Sequence, residues 1–123
     1  MATIESFEDM IAWQKAQDLA VMVYKLTKSF PPSEKFALTD QIQRASSSVS
    51  ANIAEGFGRR TLNDKVRFYT IAYGSLLETK NFVYLANRLD YANADAVNEI
   101  IKQATDCQKL INALISSLKR NEK

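Results

Sequence analysis

The chain has 123 residues, 46% of hydrophobic types and 24% charged, with 16 Lys and Arg against 14 Asp and Glu for a net charge of +2. That length supports one domain, residues 1–123, burying roughly two-thirds of the unfolded chain's surface; two domains would each be short of core. Three Gly and two Pro disfavour a many-turned β-sandwich or barrel, the lack of His removes Ser-His-Asp and Cys-His catalysis and His-ligated zinc, and the lone Cys107 removes an intrachain disulfide.

Four segments repeat apolar residues at helical spacing. The first, about 7–29, carries Ala12, Ala16, Leu19, Val23, Leu26 and Phe30 in steps of four and three, the seam of a bundle helix. Ser6 fits its N-cap, with Glu8 and Asp9 in the first turn, and Pro31-Pro32 stops it. The second, about 34–57, has Ser33 as the expected N-cap and Leu38, Ile42, Ala45, Val49 and Ile53 as its seam, and it ends at Gly56-Phe57-Gly58. The third, about 62–90, is capped by Thr61 with Asp64 three residues on. Its first stripe is Phe68, Ala72, Ser75, Thr79, Phe82, Ala86 and Leu89; a second is Tyr69, Tyr73, Leu76 and Val83. The fourth, about 94–119, has the seam Ile100, Ala104, Cys107, Ile111, Leu114 and Leu118.

Connections of a few residues make successive helices antiparallel neighbours, so the expected fold is all-α, an up-down-up-down four-helix bundle. No segment reaches the about 18 apolar residues of a membrane span. Met1-Ala2-Thr3-Ile4-Glu5 lacks a signal-peptide pattern, and a lone thiol suits the cytoplasm, where the chain is expected.

Two features exceed a plain bundle. Ile71, Leu77, Tyr84 and Leu85 make the third helix apolar around much of its circumference, which points to a second buried surface, most simply between subunits. The run from Ala45 to Ala51 is all small residues but for Val49, and with Gly74-Ser75 it permits a close crossing of the second and third helices. A solvated serine face is the alternative.

With these stretches in view, the sequence resembles the four-helix bundle proteins encoded in intervening sequences of bacterial 23S ribosomal RNA genes. The matching residues are Trp13-Gln14-Lys15-Ala16, Phe30-Pro31 with Glu34, Gln41-Ile42 with Arg44-Ala45, Ser48-Val49, Asn52-Ile53-Ala54-Glu55-Gly56, and Ala72 with Gly74-Ser75-Leu76 and Glu78. The resemblance implies a homopentameric ring. It also implies similarity to the accessory variability proteins of diversity-generating retroelements, pentamers that bind nucleic acid and a reverse transcriptase. The family supplies no established biochemical activity.

Arg44, Asn52, Glu55 and Glu78 are polar residues in otherwise apolar helices. Glu55 lies near a helix C-terminus, where the dipole disfavours an anion, so it needs a partner: Arg59 four residues on, or a group on another helix or subunit. A buried polar network that fixes packing register and subunit geometry is one expectation, and solvated charges the other. Arg59, Arg60, Lys65 and Arg67 crowd one turn, where helix N–H groups and the nearby Tyr69 would complement phosphates and bases. The expected function is therefore a non-enzymatic oligomer that binds RNA, DNA or a nucleic-acid-processing protein there, without sequence preference; the alternative is a structural or protein-interaction scaffold. No cofactor or metal is expected, since the Glu-x-x-His pairs of a di-iron bundle need histidine. Gly56-Phe57-Gly58 lacks the strand and third glycine of a dinucleotide fingerprint. Trp13, Phe30 and Cys107 read as core residues.

Overall fold

A computed structural model describes residues 4–120. The helices are α1 (Ile11–Thr27), α2 (Leu38–Phe57), α3 (Leu62–Arg88) and α4 (Ala94–Arg120), with short 3-10 turns at Phe7–Asp9 and Pro32–Glu34. Contacts pair late residues of one helix with early residues of the next. Gln17 Nε2 donates to Ser50 Oγ and Gln43 Nε2 to Thr27 Oγ1, both at 3.0 Å. Ser75 Oγ donates to Ser48 Oγ at 3.0 Å, while Gly56 abuts Phe68 and Tyr69. Gln108 Nε2 reaches Tyr73 Oη at 3.0 Å, and Lys80 Nζ reaches Thr105 and Gln108. Gln103 Nε2 donates to the Lys15 carbonyl, closing α4 onto α1. Each neighbouring pair therefore runs in opposite directions.

Two helices start later than their periodicity implies. Met10, not Ser6, precedes α1; its extended backbone buries its own side chain and lets Phe7 fold edge-on against Trp13, ring centres 5.2 Å apart. Ser33 lies in the 3-10 turn that Pro32 opens, and the Glu34 carboxylate accepts the first N–H of α2, from Leu38 at 3.3 Å. Thr61 caps α3 as expected, its hydroxyl accepting from the Asp64 N–H at 3.1 Å. At the other end α3 stops two residues early in a Schellman closure: the Tyr91 N–H reaches the Ala86 carbonyl and the Asp90 N–H the Asn87 carbonyl. Asp90 takes the left-handed conformation, φ 62°, that such a closure demands.

The core holds Leu19, Val23, Ile42, Val49, Ile53, Leu76, Val83, Ile111 and Cys107, all fully buried. On α3 the buried line runs Tyr69, Ala72, Leu76, Thr79, Val83 and Ala86. It interleaves the two sequence stripes, leaving Phe68, Ser75 and Phe82 half-buried and Leu89 exposed. The close crossing of α2 and α3 is real but uses Gly56 rather than Gly74. A Cβ at Gly56 would stand 2.7 Å from Tyr69 Cε1 and 3.1 Å from Phe68 Cβ, whereas one at Gly74 would meet nothing within 4 Å.

Candidate functional site

At the α2–α3 turn, two of the four clustered cations are already engaged. Lys65 Nζ donates to the carbonyls of Phe57 at 2.6 Å and Gly56 at 3.4 Å, closing the C-terminus of α2 as a cation should. Arg59 pairs with Glu55, Nη2 to Oε1 3.4 Å, so Glu55 finds the local partner its dipole position calls for. The same guanidinium lies 4.4 Å from the centre of the Phe68 ring, with Arg67 at 5.7 Å from it. Arg60 is exposed, and among the described residues neither it nor Arg67 forms an ion pair. Tyr69 is buried against Gly56, and loss of hydration raises its phenol pKa, so it does not present a ring to a base. Phe68 is the aromatic this turn carries at its surface, and sequence reasoning had placed it in the core stripe.

Along the α2–α3 groove, Asn52 is half-buried. Its Nδ2 donates to the Ser48 carbonyl at 2.8 Å and to Ser48 Oγ at 2.9 Å, and Ser75 Oγ donates to the same hydroxyl. The polar tie inside the chain is thus serine and amide. The charged residues stay outside it: Arg44, with 78% of its side chain exposed, pairs among the described residues with Asp40 alone, at 3.9 Å. Glu78 is exposed without an ion pair among the described residues. Arg44 and Glu78 do share one depression, of about 310 Å³, with Phe36, Asp40 and Gln41.

Spacings of four, four and three place Arg44, Ser48, Asn52 and Glu55 on one side of α2. Across the groove on α3, Ile71 and Leu85 stand two heptads apart with Glu78 midway, while Leu77 and Tyr84 make a second stripe on the other flank of the helix, beyond Gly74 and Asn81. These four apolar side chains and Leu89 are all exposed. Phe36 is the most exposed large apolar residue described, at 88%. No periodic pattern flags it, because it lies in the connection before α2.

Fold and face together define an all-α bundle whose second and third helices offer a mixed polar and apolar surface. No helix among the described residues is long and apolar enough to cross a membrane. The chain belongs to the family of 23S rRNA-intervening sequence proteins, whose model matches residues 8–113. It is similar to a solved protein of unknown function from the S23 ribosomal protein family of Bacteroides thetaiotaomicron, with 25% identity, coverage of 85% of this chain and 98% of the other, and a TM-score of 0.77. Among curated proteins none matches.

Proposed function

We propose that this protein is a non-enzymatic scaffold that assembles with copies of itself through the α3 face, as a five-membered ring in keeping with the family resemblance. The observation that carries the reading is the set of four exposed large apolar side chains on α3, with a fifth, Leu89, at its C-cap and with Glu78 and Arg44 beside them. A helix that buries one stripe in its own bundle and exposes apolar residues on both remaining flanks needs another surface. Light scattering tests it: the assembly has five times the 13.9 kDa chain mass, and Ile71→Asp with Leu85→Asp returns it to one chain without loss of helix content. A wild-type mass of one chain at all concentrations sinks the proposal.

A second role follows from Arg60 and Arg67. We assign to the turn a sequence-tolerant contact with RNA or DNA phosphates. Arg60→Gln with Arg67→Gln removes that contact; affinity unchanged in the double variant leaves the scaffold role alone.

A further inference from the structure

Phe36 and an apolar groove lie at opposite ends of the bundle. The groove, about 320 Å³, is formed by the start of α1 and the last turns of α4 and is lined by Met10, Ile11, Ala12, Leu110, Ala113 and Leu114 among others. Ile11 is itself exposed. Phe36 sits past the other end of α1, on the connection into α2, so the 17 residues of α1, about 25 Å at 1.5 Å each, keep it from filling the groove of its own chain.

We infer that Phe36 docks into this groove on a second copy of the chain. Size is compatible: a cavity of about 150 Å³ lined by aliphatic residues takes a benzene ring, so this groove admits a phenyl ring with its flanking backbone. Charge is complementary as well. Lys35 Nζ lies 5.3 Å from the centre of the Phe36 ring and travels with it, and Asp9 is the one charged residue lining the groove among the described residues. The contact is heterologous, one knob and one hole per chain, so each subunit has a free knob at one end and a free hole at the other. Such contacts close into a ring or continue as a filament and do not stop at a two-fold dimer. The inference rests on self-assembly and adds a specific end contact to the α3 face.

The test compares wild type, Phe36→Ser, Ala113→Trp and the double variant by light scattering over a concentration series. Phe36 and Ala113 are both exposed, so neither change disturbs the core. Each single variant shifts the dissociation midpoint upward about 10- to 100-fold, the range expected for exposing one buried aromatic. The double variant adds little, since both changes remove one contact. A chain carrying Phe36→Cys and Ala113→Cys forms covalent multimers beyond dimer on oxidation, whereas each chain with only one of these added cysteines stops at dimer, the native Cys107 being buried. A wild-type assembly whose midpoint neither single variant moves, or a double-cysteine chain without such multimers, overturns this contact while the α3 reading stands. A wild type that never assembles overturns both.

Discussion

Gly56 and Gly74 are the same residue type on facing helices, and the structure gives their alanine variants opposite signs. Alanine normally favours a helix by about 1 kcal/mol over glycine. At Gly74 the added methyl meets nothing, so Gly74→Ala gains about that amount. At Gly56 it would stand 2.7 Å from the Tyr69 ring, and overpacking of about 1–3 kcal/mol outweighs the propensity gain. Urea denaturation of the two variants should show midpoints displaced in opposite directions; a stabilised Gly56→Ala contradicts the close crossing. Cys107 offers a second check. Burial first, then Asp106 and Asp18, push its thiol up to about 11 from an ordinary 9.0, against an opposing pull from Lys15. The folded chain therefore holds this proton more tightly than the unfolded one. The stability it contributes is full below pH about 9 and is lost as pH rises toward about 11, by about 2–3 kcal/mol in all. The measurement is the difference in pH slope between wild type and Cys107→Ala, in which contributions common to both chains cancel. Equal slopes exclude the effect.

Among the elements, the C-terminus of α2 depends on a residue from α3. Lys65 reaches back to the carbonyls of Gly56 and Phe57, a charge-assisted closure worth about 1–2 kcal/mol. Lys65→Met, which keeps the apolar stem and removes the donor, should lower the melting temperature by several degrees. A variant set that includes Lys65 would then weaken nucleic-acid binding through lost stability, which is why the binding test uses Arg60 and Arg67 alone. The helices themselves were legible because apolar steps of three and four repeat without conflict; the α2 seam from Leu38 to Ile53 is buried throughout. Their starts were less so. Ser33 has the right chemistry for a cap, but proline at 32 favours a tight turn, and the longer Glu34 side chain reaches the first N–H of α2, that of Leu38, which has no partner within the helix. On α3 two overlapping stripes made the inward line ambiguous. Packing chose the one that places Tyr69 beside Gly56, which no count of spacings within a single helix contains.

For the whole molecule, what matters is how many cations remain free once the chain has folded. Read along the sequence, Arg59, Arg60, Lys65 and Arg67 form one patch; folding gives Lys65 to a helix end and Arg59 to Glu55 and Phe68. That outcome was hidden because the carbonyls and carboxylate they meet are brought together only by the turn. Two arginines per chain are a weak electrostatic footprint. On duplex DNA each neutralised phosphate contributes only about 0.9 to the salt slope. Binding of physiological strength therefore requires several chains to engage one strand, and linked sites raise avidity by about 10²- to 10⁴-fold over a single one. Arg67 lies one turn before Ile71 on the same side of α3, so the dispersed chain for this comparison is Leu77→Asp with Leu85→Asp, which keeps Arg60 and Arg67 clear of the new carboxylates and loses only the assembly. At equal chain concentration it should bind a mixed RNA or DNA pool at least about a hundredfold more weakly than wild type, with a shallower salt slope. The Arg60→Gln, Arg67→Gln protein should lose binding while keeping the wild-type mass. A dispersed chain that binds as tightly as the assembly would place the contact on some other part of a single subunit and remove any need for a ring.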